Sequence, residues 1–247
     1  RSSDLNTISE IYGIYNNATS GKTAKISITS GKIDVNGATT TYGIFNTGSG
    51  QKTVNINNGE IKVKTTTGGR YNINAIRNDN VSTTELTNAQ ISIESAHTSA
   101  ADYDGAAMIY QGNVTIHSGT YSVKAPSSTA KIFYSSTTKI EDGTFKAEGY
   151  GAYLANGGNT TIEDGTYEIK GTSNANIFPI WSAITINGGE YTSSHICMTI
   201  GSAKTINDGS FTCGTYGVTQ YEGIDYTGNY RLTITGGSIT STNNTIH

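Results

Sequence analysis

The chain has 247 residues, a net charge of −3, 34% hydrophobic and only 14% charged residues, with 30 glycines and 16 tyrosines. This weak negative charge excludes the basic surface that nucleic-acid binding needs, and no apolar run is long enough to cross a bilayer. Disordered chains are usually highly charged and poor in aromatic residues. The composition therefore favours many short strands joined by tight turns.

One phrase recurs nine times: alternating aliphatic residues, a glycine, and then a second alternating segment. The copies begin at Ile26, Val54, Thr84, Val114, Thr138, Thr160, Ile184, Lys204 and Leu232. An aliphatic residue stands three positions before each glycine, and before Ala89 in the third copy, while an aliphatic or aromatic residue stands two positions after it. Alternation with period two predicts strands with one buried face, and the glycine predicts a turn with positive φ.

A second phrase lies between the first ones and predicts a third strand in each repeat. It begins at Tyr12, Tyr42, Asn74, Ala106, Ala130, Tyr150, Ala175 and Tyr216, and more loosely at His195. If its central isoleucine points inward, Asn16, Asn46 and Asn78 share that side and are expected to form a ladder of side-chain amides. The residues directly after the central position of the phrase are then expected to face outward: Tyr15, Phe45, Arg77, Ile109, Phe133, Tyr153 and Phe178.

The glycines recur at uneven intervals of roughly 20 to 30 residues, which is the range of solenoid repeats. Identical phrases with the same facing predict like residues stacked about 4.8 Å apart. We therefore expect one all-β solenoid domain over residues 1–247, with about nine coils and three short strands per coil.

With these motifs the chain resembles the right-handed parallel β-helices of the pectin-lyase-like superfamily, and more narrowly the repeat-rich surface and adhesin-like proteins of bacteria. The resemblance implies a right-handed coil. It implies little about function, because this scaffold serves many unrelated activities.

The enzymes of this superfamily cleave acidic polysaccharides, but their Asn-Thr-Asp, Asp-Asp, Gly-His-Gly and Arg-Ile-Lys signatures are absent here. The best acidic constellation is Glu141, Asp142, Glu163, Asp164 and Asp208. Stacking would place Glu141 and Glu163 about 5 Å apart, as in a retaining glycosidase, with Asp164 beside them. Asp142, Asp164 and Asp208 would alternatively suit calcium. Aspartates at turns also serve backbone hydrogen bonds, and this structural interpretation is favoured over both.

Outward aromatic residues form the second candidate site, because planar rings at regular spacing can stack on sugars or anchor a protein partner. The predicted binding residues are Tyr15, Phe45, Phe133, Tyr153, Phe178 and Trp181, with Tyr110 and Tyr134 beside them. The alternative is that loops cover this face, or that the facing is wrong by one residue, which would turn the column inward.

Cys197 and Cys213 are about one coil apart, so a disulfide is geometrically possible, and two buried thiols are an equal alternative. No capping helix is visible at either end of the repeats. Because open solenoid ends are adhesive edges, we expect a segment of a longer surface protein, or copies that associate end to end.

These features predict a non-catalytic module at the cell surface or outside the cell, an adhesin or stalk segment that binds a glycan or a surface protein through a lateral face. No cofactor is predicted apart from the possible calcium. The first alternative is a polysaccharide lyase or glycoside hydrolase that uses Glu141 and Glu163. The second is a self-assembling structural or filament protein.

Overall fold

The computed structural model describes residues 10–37, 40–66, 72–79, 82–98, 105–179, 181–220 and 231–243. These ranges form 22 strands. In chain order they are β1 (Glu10–Asn17), β2 (Thr23–Thr29), β3 (Lys32–Gly37), β4 (Thr40–Thr47), β5 (Gln51–Asn57), β6 (Glu60–Thr65), β7 (Asn72–Asn78), β8 (Ser82–Thr87), β9 (Ala89–Glu94), β10 (Gly105–Tyr110), β11 (Asn113–Ile116), β12 (Gly119–Ile140), β13 (Thr144–Ile162), β14 (Thr166–Phe178), β15 (Ser182–Ile186), β16 (Glu190–Ser193), β17 (Ile196–Ile200), β18 (Lys204–Ile206), β19 (Ser210–Cys213), β20 (Tyr216–Gln220), β21 (Leu232–Ile234) and β22 (Ser238–Ser241). No helix in these ranges has the length and apolar character to cross a membrane.

Each strand pairs in parallel with the equivalent strand of the next coil, as β1 does with β4 and β4 does with β7. The aliphatic column that precedes the turn runs through nine coils without a slip. Its members are Ile28, Ile56, Leu86, Ile116, Ile140, Ile162, Ile186, Ile206 and Ile234. This register confirms the predicted parallel β-solenoid.

The column that follows the turn supplies the aromatic part of the core. Tyr121, Phe145, Tyr167, Tyr191 and Phe211 stack as nearly parallel rings, with successive centroids 4.8, 4.9, 4.6 and 4.4 Å apart. All five are almost completely buried. The three tyrosines keep their hydroxyls satisfied by donating to a turn carbonyl three residues earlier, at 2.7 to 2.8 Å. Tyrosine and phenylalanine can therefore alternate in one column at little cost.

The predicted asparagine ladder is present at a buried corner. The Asn16 side-chain amide donates to the Asn46 carbonyl oxygen at 2.9 Å, and the Asn46 amide donates to Asn78 at 2.7 Å. The Asn78 amide ends the ladder on the Gln111 backbone carbonyl. Each side-chain amide thus donates to an oxygen on the next coil, and Asn46 and Asn78, which are completely buried, keep their polar groups satisfied.

The turn position has a different conformation in the first three copies and in the six later ones. Gly143, like the glycines of the other later copies, has a positive φ. In the first three copies the left-handed residue is instead the preceding one: Ser30, Asn58 or Asn88, with φ of 56°, 54° and 48°. The prediction of a positive-φ glycine is therefore wrong for those copies. Ala89 fits the third copy because Asn88 carries the left-handed conformation, which asparagine tolerates.

A disulfide joins Cys197 in β17 to Cys213 in β19, with their Cα atoms 5.5 Å apart. Both residues are buried. The bond links the third strand of one coil to the second strand of the next. This settles the choice that the sequence left open between a disulfide and two thiols.

Candidate binding face

The third strand of each coil contains a bend at which two consecutive side chains face the lumen. The bend residue is skipped in the pairing: Tyr42 pairs with Asn74 and Ile44 with Ile76, while Gly43 has no ladder partner. A Cβ on Gly43 would lie 2.7 Å from the Ile61 side chain, so this position also points inward. The alternation therefore changes phase once within this strand.

This change of phase overturns part of the predicted outward face. Ile76 pairs with Ile109, and Ile109 pairs with Phe133. Ile109 and Phe133 therefore belong to the inward column of Ile76. Phe133 and Phe178 are completely buried, and their rings lie 6.2 Å from Phe145 and 5.9 Å from Tyr191. They belong to the core and cannot present a binding face.

Tyr153 is also misplaced by the sequence-based alignment. It pairs with Lys131 in the outward column on the other side of the bend, and only 7% of it is exposed. Trp181 is 64% exposed, but it lies in the turn before β15 and outside the aromatic columns. The predicted strip is thus reduced to Tyr15 and Phe45 among its original members.

The structure instead brings together aromatic residues that the sequence pattern assigned to separate positions, and these residues form one surface. One outward column contains Tyr15, Phe45, Arg77, Tyr110 and Tyr134, one residue from each of five successive coils. Tyr12 and Tyr42 lie on the other side of the bend and pack against Phe45 of this column. Tyr42 is only 3% exposed, so it supports the exposed rings and offers no surface of its own. We call these seven residues the aromatic strip. Tyr110 and Tyr134, expected only beside the strip, are part of it.

Ring geometry holds the strip together. The Tyr12 and Phe45 rings are nearly parallel, with centroids 5.4 Å apart, and Tyr110 stacks on Tyr134 at 5.1 Å. Tyr15 is turned by 67° from Tyr12 and by 69° from Phe45. With 54% of its surface exposed, Tyr15 offers the largest accessible ring area in the strip.

Arg77 occupies the centre of the strip and replaces a ring in the stack. Its guanidinium carbon lies 5.4 Å from the Tyr42 ring centroid, 5.7 Å from Phe45 and 4.7 Å from Tyr110. Its Nε donates to the Asp79 carboxylate and its Nη1 to the Tyr42 hydroxyl, each at 3.3 Å. Cation–π contacts and the ion pair hold the guanidinium plane in a fixed orientation.

The acidic turn residues are engaged in local hydrogen bonds. Glu141 accepts from His117 at 2.8 Å and from Lys139 at 2.9 Å, and these bonds lower the pKa of the Glu141 carboxyl. Glu163 accepts from Asn187 at 2.8 Å. A lowered pKa is opposite to the raised pKa that the general acid of a glycosidase requires.

The aspartates predicted as an alternative calcium site bond to their own turns. The carboxylates of Asp142, Asp164 and Asp208 each accept a hydrogen bond from the next glycine's backbone N–H, at 2.6 to 2.8 Å. Across the part of the chain that the structure describes, no three His, Cys, Asp or Glu side chains are grouped as a metal site would need. The geometry is that of aspartate-stabilised turns.

Comparison of the chain with models of protein families, with curated proteins and with solved structures found no match in any of the three. The similarity to pectin-lyase-like proteins is therefore supported only at the level of a parallel β-solenoid, and no family is assigned.

Proposed function

We propose that this chain is a non-catalytic extracellular binding module that presents the aromatic strip as a lateral face for a glycan or a partner protein. The observation that carries the proposal is the strip itself, which places one ring or guanidinium on each of five successive coils. A partly exposed aromatic patch of this extent marks a contact surface more often than a random surface feature.

The chemistry of the strip suits binding at low entropic cost. Tyrosine and arginine are enriched among the residues that dominate binding energies. Here Tyr110 and Arg77 are already held in place by stacking and by the Arg77–Asp79 ion pair. Side chains fixed before binding lose little conformational freedom when a partner arrives.

The disulfide supports a location outside the cytosol. Cysteine pairs persist mainly in secreted and surface proteins, because cytosolic thiol systems keep cysteines reduced. The bond between Cys197 and Cys213 therefore indicates folding in an oxidising compartment, and we propose an extracellular or cell-surface site of action.

The test is binding of the intact chain to arrays of glycans and extracellular-matrix proteins, compared with a Tyr15→Ala/Tyr110→Ala double variant. We expect at least about a tenfold loss of affinity, since one well-placed aromatic contact is worth more than about 1 kcal/mol. Trp181→Ala is the matched control, because it removes an exposed ring outside the strip. If every ligand bound the double variant as tightly as the parent, or if only Trp181→Ala lost affinity, the strip would have no such role.

A further inference from the structure

The centre of the aromatic strip carries a donor and an acceptor side by side. The Arg77 guanidinium and the Asp79 carboxylate are in contact at 3.3 Å, and their side chains remain 21% and 31% exposed. Within the described part of the chain, Arg77 donates from Nε to Asp79 and from Nη1 to the Tyr42 hydroxyl. Arginine has five N–H donors and a carboxylate has about four acceptor positions, so this pair retains capacity for a ligand.

The rings around this pair supply apolar contact above and below it. Phe45 lies one coil before Arg77 and Tyr110 one coil after it, and both rings contact the guanidinium. A ligand at this point would meet a polar pair flanked by two aromatic rings. Sugar rings have this same division, with hydroxyls at the rim and C–H groups on the faces.

We infer that Arg77 and Asp79 form the centre of a site for a neutral glycan with two adjacent free hydroxyls, one accepting from the guanidinium and the other donating to the carboxylate. This inference rests on the proposed function and names its ligand class. Neighbouring coils lie about 4.8 Å apart, so successive sugars of an extended glycan can meet successive members of the strip.

Charge favours a neutral glycan over an acidic one. The Arg77 charge is already balanced by Asp79. Glu10, which accepts a hydrogen bond from the Tyr12 hydroxyl, adds a carboxylate at the N-terminal end of the strip, and Lys131, whose ammonium nitrogen lies 5.1 Å from the Tyr134 ring centroid, adds a cation at the other end, so these four charges cancel. A uronate or sulfate group brought to Arg77 would approach Asp79 as well, and like charges that close repel each other. The hydroxyls of a neutral sugar avoid this cost.

The experiment measures binding of the intact chain to neutral polysaccharides such as glucans and mannans, to polygalacturonate and heparin, and to matrix proteins. We expect strip-dependent binding to a neutral glycan, little change in affinity between 50 mM and 500 mM salt, and at least about a tenfold loss in Asp79→Asn and in Arg77→Lys. Asp34→Asn is the matched control, because Asp34 also pairs with a neighbouring cation but lies on β3.

A second measurement does not depend on how the variants fold. Deoxy analogues of the bound sugar, each lacking one of the adjacent hydroxyls, are tested as competitors against the unmodified chain. We expect competition to weaken at least about tenfold, because a site built around a hydroxyl rejects the analogue that lacks it.

The outcomes separate the two proposals. Strip-dependent binding only to acidic glycans, or only to a protein, would overturn the neutral-glycan inference and leave the aromatic strip as a binding face. Undiminished competition by both deoxy analogues would also overturn it. Binding that never depends on Tyr15 and Tyr110 would overturn the proposed function itself.

Discussion

Lys204 stands in the inward column two residues before the aliphatic column that precedes the turn, between Ile184 and Leu232. Only 2% of it is exposed. Its ammonium group donates to the backbone carbonyls of Ser182 at 2.8 Å and Pro179 at 3.2 Å. The amine thus satisfies carbonyls of the preceding coil, but burial penalises its charge and lowers the pKa of Lys204 from 10.5 to about 8.

This depressed pKa predicts a specific pH dependence of stability. Between pH 8 and 10.5 the unfolded chain binds more protons at this lysine than the folded chain, so the Lys204 contribution to the free energy of unfolding rises with pH. Its slope is at most about 1.4 kcal/mol per pH unit. Denaturant unfolding at pH 7.5, 8.5 and 9.5 should show this slope in the parent and not in Lys204→Met. Equal pH dependence in the two proteins would contradict a buried Lys204 amine with a lowered pKa.

Tyr167 tests the aromatic stack. Its ring lies between Phe145 at 4.9 Å and Tyr191 at 4.6 Å, and its hydroxyl donates to the Asp164 carbonyl at 2.7 Å. We expect Tyr167→Ala to lower the free energy of unfolding by about 3–5 kcal/mol through the cavity it leaves. Tyr167→Phe should cost only about 1 kcal/mol, the value of one hydrogen bond. Urea unfolding curves for the two variants would measure this ratio, and similar costs would argue against a continuous ring stack.

At the scale of the element, the bend in the third strand decides which residues face the solvent. A strand without the bend would alternate strictly, and Phe133 would then sit opposite to Ile132. Instead both side chains are completely buried and Tyr134 emerges beside Tyr110. The bend thus turns a second consecutive residue towards the lumen, a large one in coils such as that of Ile132 and Phe133, and moves the surface column by one residue.

Two neighbouring substitutions distinguish these facings. Phe133→Ala is expected to cost about 3–5 kcal/mol, because it empties a fully buried site. Tyr134→Ala should cost less than about 1 kcal/mol, since the residue is partly exposed and surface changes are small. Thermal or urea unfolding of both variants provides the measurement. A larger loss of stability in Tyr134→Ala than in Phe133→Ala would instead support a third strand that alternates strictly.

At the scale of the whole molecule, a column of charged residues on the outer surface favours the observed register between coils. Lys64, Glu94, Lys124, Glu148 and Lys170 are vertical neighbours on successive coils and alternate in charge. Lys64 lies 3.1 Å from Glu94, and Lys124 lies 3.7 Å from Glu148. Each exposed pair contributes little to stability. A slip by one coil, however, would place like charges together, so the column opposes misregistered stacking.

Reversing one charge should expose this role. Glu94→Lys places three lysines in succession and is expected to lower the free energy of unfolding by about 1 kcal/mol at low salt. Because the groups are exposed, about 1 M salt should remove most of the effect. Glu94→Gln, which removes the pair without adding repulsion, serves as the control. A salt-independent loss equal in both variants would show that packing, not charge, is responsible.

The sequence by itself determined the coil register. Each aliphatic and aromatic column of the repeated phrase was identified from its distance to the turn glycine, and every one of these residues stacks as predicted. The asparagine ladder also followed from spacing alone. Local alternation is sufficient here, because like residues in identical phrases can bury their apolar faces only against one another.

Tertiary structure decided what the pattern left ambiguous. The direction of the side chains in the third strand depends on the bend. The residue at the bend is glycine in some coils and alanine, isoleucine or methionine in others, so the residue type does not predict where the bend lies. For the same reason the alternating pattern predicts Phe133 and Phe178 on the surface, and it does not predict the contact of Arg77 with Tyr110. A period of two fixes side-chain direction only within an unbroken strand, and a single extra inward residue reverses every assignment beyond it.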